Sequence, residues 1–250
     1  MKKSFLYVIL FLFMTNTLFA KSLTIDYEAT FGILGEVGLI HNKIVTKDGK
    51  YRIDTTVKLY GIAKMLLGNQ KEHYISKGFI KDGFFVPTYY SMSSIKKSKK
   101  SLKEYFFDHK KHKLIRIKRK WKHGKLTYNK KTNIKFYAKD DLLTLYFNMD
   151  KHIKAHKNQH SFTLNVAGLE RQKGKVTISV ATSKDRDDYE DDLGKSASWY
   201  AKAHIVQKSF KNKSGDILLS ASKDGYIKRA VIKDLVMYGD AVLKRVDFFN

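Results

Sequence analysis

The sequence predicts a mainly β protein, a curved antiparallel sheet or incomplete β-barrel with one amphipathic helix and one short helix. Apolar and polar residues alternate through most of the chain, which is the period of half-buried strands. The triplet Lys-Asp-Gly recurs at 47–49, 81–83 and 223–225, and Asp-Gly tolerates the positive φ angles of tight hairpin turns. One long central stretch has helical periodicity instead. These observations indicate a single β-rich domain over residues 21–250.

Residues 1–20 have the features of a secretory signal peptide. Lys2 and Lys3 precede the apolar run Phe5–Met14, and a cleavage site follows Ala20. The run is shorter than the roughly 20 residues that span a bilayer, so we expect cleavage, with an uncleaved anchor as the alternative. The chain has no cysteine, which excludes a lipoprotein anchor and disulfides. We therefore expect a soluble periplasmic protein.

The first half of the mature chain predicts strands and one short helix. Ile62, Met65 and Leu66 have helical spacing, and the helix either plugs the core or closes as a lid over an apolar ligand. Pro87, the only proline, suits a strand edge. A cluster of glycines after the first strand indicates a turn or bulge. The expected strands are 23–31, 39–46, 51–59, 72–80 and 84–94.

The stretch Lys96–Lys135 carries much of the positive charge. Seventeen of its residues are Lys or Arg against two acids, in a chain with a net charge of +25. We predict a cationic hairpin that turns at 109–112, followed by a loop or linker over 122–137. In the second strand, Lys113–Trp121, one face is mostly apolar and the other is mostly cationic.

This hairpin is either an anion-binding surface or a solvated face whose lysines prevent edge pairing. Alternate strand positions stand roughly 7 Å apart, which suits successive phosphates or carboxylates. We expect an anionic envelope lipid, a glycan or an outer-membrane protein as partner, with peripheral membrane contact. We do not expect nucleic acid as a partner, because an exported protein meets phosphorylated lipids and glycans instead. The candidate anion-binding residues are Lys97, Lys100, Arg116, Lys118, Lys120 and Lys122.

The second half predicts the amphipathic helix and a further set of strands. Asp140 and Asp141 precede the helix, and acids at that end suit the helix dipole. The apolar positions of the helix are Leu142, Leu145, Tyr146, Met149 and Ile153. The expected strands are 161–166, 175–182, 199–210, 216–221, 226–237 and 240–248.

Metal-site patterns are weak in this sequence. His152, His156 and His160 recur every four residues, but the helical pattern stops before the last two, which favours a solvated helix end. The segment 185–192 contains six acids. It lacks the glycine of an EF-hand loop, so a solvated loop or a counter-ion for the hairpin is favoured over calcium.

Catalytic motifs are equally weak. Ser93 and Lys96 have the Ser-x-x-Lys spacing of penicillin-binding enzymes, but about three such spacings arise by chance in a chain with this many serines and lysines. Gly-x-Ser-x-Gly, phosphate-loop and His-Glu-x-x-His motifs are absent from the sequence. We therefore expect no enzyme, no cofactor and no metal.

A set of turn glycines, aromatic residues and helix residues is distributed along the chain: Tyr27, Gly32, Gly35, Glu36, Tyr51, Arg52, Ile53, Ser76, Gly78, Asp82, Gly83, Pro87, Tyr90, Phe107, Asp108, the helix segment 141–146, Ser222, Asp224, Gly225 and Gly239. In these residues the sequence resembles domain-of-unknown-function family 3108, whose members are exported Gram-negative proteins. The resemblance covers nearly the whole mature chain. It implies a β-rich periplasmic fold, similar to open barrels that carry lipids or lipoproteins, and no catalytic residues.

The leading hypothesis is a non-enzymatic periplasmic protein whose curved sheet shelters an apolar or amphipathic ligand, such as a lipid, while its basic surface binds anionic envelope components. The alternative is an interaction module that binds peptidoglycan, lipopolysaccharide or an outer-membrane protein through the basic face without a cavity. A third hypothesis is a hydrolase of envelope polymers.

Overall fold

The structure is a computed structural model that describes residues 20–61, 64, 70–206, 215–235 and 239–249. Its strands are β1 (Lys21–Phe31), β2 (Gly35–Lys47), β3 (Lys50–Leu59), β4 (Lys71–Lys81), β5 (Phe84–Lys96), β6 (Lys99–Asp108), β7 (Lys113–Lys122), β8 (Lys125–Asn133), β9 (Asp140–Asp141), β10 (Ser161–Ala167), β11 (Lys175–Val180), β12 (Trp199–Ile205), β13 (Gly215–Ala221), β14 (Ile227–Leu235) and β15 (Gly239–Phe249). The helices are α1 (Leu142–Ala155) and α2 (Arg186–Leu193), with short 3-10 turns at Gly32–Leu34 and Glu170–Gln172.

All of these strands belong to one open sheet that is not closed into a barrel. The first eight strands pair in chain order, β1 also pairs with β15, and the rest continue in reverse order to β9. Among the described strands only β9 and β10 pair in parallel. The sheet therefore has its edges at β8 and β9, and the predicted mainly β, antiparallel fold is confirmed.

Helix α1 lies in the hollow of this sheet. It contacts β4 and β5 on one side and β9 and β10 on the other, so the two halves of the sheet curl around it. Its residues Leu143, Leu145, Phe147, Met149 and Ile153 are buried in the main core. A helix enclosed in this way is apolar over most of its surface. The predicted central helix is confirmed, and the face of the sheet that holds it is called the concave face below.

The Asp-Gly turns predicted from the sequence are confirmed. Asp48 and Gly49 have φ angles of 51° and 68°, and Asp82 and Gly83 have 52° and 78°. Each pair joins two neighbouring antiparallel strands. The third triplet, at 223–225, lies in the longer connection between β13 and β14.

Several predictions lie wholly or partly outside the described residues. These are the signal peptide, the short helix with its lid residues Ile62, Met65 and Leu66, and the ends of the strands expected to reach 210 and 237. In the described ranges, neither helix is long and apolar enough to cross a bilayer.

The loop or linker predicted over 122–137 is wrong, because β8 occupies most of it. β8 pairs with β7 along its whole length, and nearly all of its side chains are exposed. An edge strand is held by main-chain hydrogen bonds on one side, so it does not require the apolar alternation that identifies half-buried strands. Its sequence, KLTYNKKTN, therefore had no strand signal.

The acidic segment 185–192 is also not the loop that the sequence predicted, since most of it forms α2. Asp187 and Asp188 lie in the first turn of α2, where the helix dipole stabilises negative charge. At the other end Leu193 is buried against Tyr200 and Val231 in a second, smaller core. This core lies on the convex face of β12–β14, away from α1.

Pro87 lies in an interior strand and not on an edge strand, which corrects the expectation for this residue. It is opposite Gly78 at a bulge between β4 and β5. The ladder between β5 and β6 begins only beyond it, at Tyr89. Bulges are the other position at which a sheet tolerates a residue without an N–H group.

Candidate anion-binding site

The turns that connect β5 to β6 and β7 to β8 lie side by side at one end of the sheet. Each turn is two residues long, 97–98 and 123–124. The N–H of His123 donates a hydrogen bond of 2.9 Å to the carbonyl oxygen of Ser98. Residues 95–101 and 120–126, called the lysine end below, are therefore held together as one unit.

A row of four lysines crosses the lysine end, one from each strand. Lys96 is paired with Lys99, Lys99 with Lys122, and Lys122 with Lys125. Residues directly opposite in neighbouring strands point to the same face, and the strands are about 4.8 Å apart. All four side chains are exposed. Like charges directly opposite one another in neighbouring strands are unfavourable, and an anion that binds here relieves this repulsion.

The next row faces the convex side of the sheet and is mostly apolar. It consists of Ile95, Lys100, Trp121 and Leu126, again one residue from each strand. Ile95 is 44% exposed and Leu126 is 52% exposed. The Nζ atom of Lys100 lies 5.2 Å from the centre of the Trp121 ring, a cation–π contact. The lysine end thus has cations on its concave side and apolar groups with one cation on its convex side.

Further cations continue along the concave face toward the core. Lys103, Lys118 and Lys130 are directly opposite one another in β6, β7 and β8. The Nζ atoms of Lys118 and Lys120 each lie 5.8 Å from the centre of the Tyr128 ring. Lysine charges in this region therefore repeat both across the strands and along them.

The structure divides the predicted anion-binding residues between several places. Lys97 lies in a turn of the lysine end and Lys122 lies in the four-lysine row, whereas Lys118 and Lys120 follow on the concave face. Lys100 is on the opposite, convex face. The sequence predicted the two faces of β7 correctly, but the mostly cationic face is the one that continues into the core.

Arg116 differs from the other five because it turns inward. Its Nη1 atom lies 3.5 Å from Oε1 of Glu170, and Tyr105 donates a hydrogen bond to the same oxygen. Burial raises the pKa of Tyr105, and the negative charge of Glu170 raises it further. Within the described part of the chain, the buried Nε of Arg116 and hydroxyl of Tyr90 have no hydrogen-bond partner. Arg116 therefore pairs with an internal carboxylate, that of Glu170.

A second polar cluster lies at the start of α1, where two buried aspartates were expected only to suit the helix dipole. Asp141 accepts hydrogen bonds from the N–H groups of Leu143 and Thr144, at 2.8 and 2.9 Å. Ser76 donates to Asp141 at 2.6 Å and also shares a hydrogen bond with Tyr51. Burial raises the pKa of Asp141 to about 7. The capping pattern Asp-x-x-Thr is a sequence signal for this helix start.

The neighbouring Asp140 has different partners. It accepts hydrogen bonds from Asn148 at 3.0 Å and pairs with His152 Nε2 at 3.1 Å. Asp141 and Ser76 are fully buried, so no substrate reaches them. Both aspartates therefore fix the start of α1 against the sheet.

The catalytic and metal patterns of the sequence do not assemble into sites. Ser93 and Lys96 are three residues apart on β5, and an odd spacing on a strand directs side chains to opposite faces. Helix α1 ends at Ala155, so the helix does not continue through His156 and His160. Among the described residues, no group of three His, Cys, Asp or Glu side chains is arranged to hold a metal ion.

The acidic segment also does not act as the counter-ion of the hairpin. Asp192 forms an ion pair of 2.6 Å with Lys233 on β14. Glu190 pairs with Arg186 within α2 at 2.8 Å. Both acids therefore form their ion pairs in and beside α2, and not with the lysines of the hairpin.

No protein-family model, curated protein or solved structure matches this chain. The resemblance to family 3108 stays a prediction.

Proposed function

We propose that the protein is a non-enzymatic component of the bacterial envelope, exported to the periplasm, that binds anionic envelope molecules through its lysine end. The row formed by Lys96, Lys99, Lys122 and Lys125 carries this proposal. Protection of a sheet edge accounts only for Lys125, because β5, β6 and β7 are interior strands. The other three lysines repel one another without protecting any edge, and an anionic ligand gives them a role.

In the described structure, no carboxylate neutralises the lysines at this end. Residues 95–101 and 120–126 contain seven lysines and no acid. In the part of the chain that the structure describes, the ion pairs formed by Asp and Glu involve none of these lysines. Lysine is a mobile point charge, so such a surface suits repeated phosphates or carboxylates better than one bidentate ligand. Lipid headgroups, acidic glycans and an acidic patch of an outer-membrane protein have this chemistry.

A sheltered apolar ligand, the other hypothesis, requires an apolar cavity. In the described structure α1 fills the hollow of the sheet with core side chains. A groove of about 760 Å³ lies on the convex face beside α2, but charged residues line much of it, including Asp188, Asp192, Lys202, Asp216 and Lys233. The geometry therefore supports surface binding better than carriage of a ligand inside the sheet.

The test replaces the four lysines of the row by glutamine. The expected result is at least a tenfold loss of affinity for long-chain polyphosphate, since each lysine near an anionic surface contributes about 1 kcal/mol. The matched control replaces Lys47, Lys50, Lys81 and Lys110, four exposed lysines in or beside turns at the opposite end of the sheet. Both variants lose the same charge. Equal losses in the two would show that only net charge matters and would refute a site at the lysine end.

A further inference from the structure

The apolar row on the convex side of the lysine end is not explained by binding to a hydrophilic polyanion. Ile95 and Leu126 are among the more exposed large apolar side chains of the described structure. They lie at the two ends of the row, with Lys100 and Trp121 between them. Leu102, half-buried, is the next convex-facing residue of β6 beyond Lys100. Exposed apolar side chains that are grouped together mark a binding surface more often than isolated ones do.

The arrangement of charge around this row identifies the partner chemistry. The row contains Lys100, and the four-lysine row lies one residue further along each strand, at the extreme end. A glycan or polyphosphate offers anions but no apolar layer. An anionic bilayer offers phosphates at its surface and, a few ångströms deeper, acyl chains. Tryptophan is favoured at that boundary because its ring is apolar and its N–H is polar.

The lysine end is also a preformed surface that can bind without rearranging. Its two short turns are tied by the hydrogen bond from His123 to Ser98, and its strands are paired up to the turns. Little conformational entropy is therefore lost when it binds. Lysine side chains are long enough to extend from the strand ends to headgroup phosphates while neighbouring apolar side chains enter the interface.

We propose that the lysine end docks on an anionic lipid bilayer, with Ile95, Trp121 and Leu126 entering the interfacial layer and the surrounding lysines binding lipid phosphates. This inference rests on the proposed function and names the lipid surface as its ligand. An acidic glycan, a polyphosphate or a protein partner would use the lysines without inserting the apolar row into lipid.

The experiment uses the chain from Lys21 onward, which contains every described strand and omits the predicted signal peptide. Its probes are vesicles of phosphatidylglycerol and phosphatidylethanolamine, vesicles of phosphatidylcholine alone, and soluble polyphosphate. The apolar variant is Ile95→Thr with Leu126→Thr, because threonine retains strand propensity. The control variant is Val246→Thr with Phe249→Thr, two exposed positions of β15 with 42% and 64% exposure.

We expect the wild-type protein to bind the anionic vesicles and to leave phosphatidylcholine vesicles unbound. The apolar variant should lose about tenfold in affinity for anionic vesicles and keep its affinity for polyphosphate, while the control variant should match the wild type in both. Fluorescence supplies an independent measure. Brominated lipid should quench Trp121 and spare the second tryptophan, Trp199, which is buried, and a Trp121→Phe variant should remove the quenched component.

Two outcomes overturn the inference. The first is vesicle binding by the apolar variant that equals the wild type, with no quenching of Trp121, which would assign the lysines a purely electrostatic role. The second is polyphosphate binding without vesicle binding, which would identify a polymer as the ligand and leave the proposed function intact. If the four-lysine variant binds polyphosphate as tightly as the wild type, the proposed function itself fails, and this result is distinct from both.

Discussion

The hydroxyl of Ser76, on β4, donates a hydrogen bond of 2.6 Å to Oδ2 of Asp141, which caps the N-terminus of α1. Both residues are fully buried. The bond joins the helix in the hollow to the wall of the sheet. Because Asp141 has only hydrogen-bond donors and no cation as direct partners, its negative charge is costly in this position. Burial accordingly raises its pKa to about 7.

The first prediction concerns the pH dependence of stability. A carboxyl group whose pKa is raised on folding holds its proton in the folded protein after the unfolded chain has released it. The free energy of unfolding should therefore fall as pH rises from about 4 to about 7 and should level off above this range. Asp141→Asn preserves the cap and removes the charge. Each unit of pKa shift is worth about 1.4 kcal/mol, so the variant should gain up to about 4 kcal/mol relative to the wild type across this range.

Urea unfolding at several pH values measures this difference. Asp187→Asn, at an exposed position in the first turn of α2, is the control. It should lose less than about 1 kcal/mol through the helix dipole and should show no gain in stability relative to the wild type as pH rises. A difference between wild type and Asp141→Asn that stays constant from about pH 4 to about pH 8 would contradict the prediction.

The sequence predicted the elements whose signals are local. Alternation and Asp-Gly turns identified the strands before and after α1, and helical periodicity identified α1. Strand β8 was missed because an exposed edge strand has no apolar face, and α2 was missed because a single buried residue, Leu193, anchors its end. Both elements are stabilised by contacts with the neighbouring sheet, and these contacts cannot be read from a single sequence.

The four-lysine row was missed for a different reason. It exists only because two turns of equal length, at 97–98 and 123–124, align the ends of four strands. The sequence predicts a turn at 109–112 and a linker beyond 122, so it shows the charges but not their register. Register depends on every turn between the strands, so one wrongly predicted turn is enough for the row to be missed.

The second prediction tests the internal carboxylate beside Arg116. Glu170→Gln keeps the shape of the side chain but removes the charge that pairs with the guanidinium and accepts the hydroxyl of Tyr105. We expect a loss of about 2 kcal/mol in the free energy of unfolding, which is typical of a hydrogen bond to a charged group. Urea unfolding measures this loss.

A double-mutant cycle with Arg116→Gln isolates the pair. If the two residues interact directly, the double variant should lose less stability than the sum of the single variants. Strict additivity would show that Arg116 and Glu170 stabilise the fold independently.

The third prediction concerns the response of the lysine end to salt. Binding of polyphosphate by the wild type should weaken steeply between about 0.05 M and about 0.5 M salt, because released counter-ions and screening both oppose it. The variant with glutamine at Lys96, Lys99, Lys122 and Lys125 should show a slope of log affinity against log salt that is smaller by about 3. The opposite-end variant described above should keep the wild-type slope. A lysine-end variant with an unchanged slope would place the polyanion elsewhere.

The last prediction concerns the close approach of β4 to β5 at the bulge. A Cβ atom added at Gly78 would lie 1.9 Å from the carbonyl oxygen of Val86 and 2.9 Å from Cα of Pro87. These are main-chain atoms of a paired interior strand, so they move only if β5 moves with them. Gly78→Ala should therefore lower the free energy of unfolding by about 2 to 3 kcal/mol, as other overpacked sites do. Lys77→Ala, at the exposed preceding position, is the control and should change it by less than about 0.5 kcal/mol. If urea unfolding shows equal stability for the two variants, the two strands are not in such close contact.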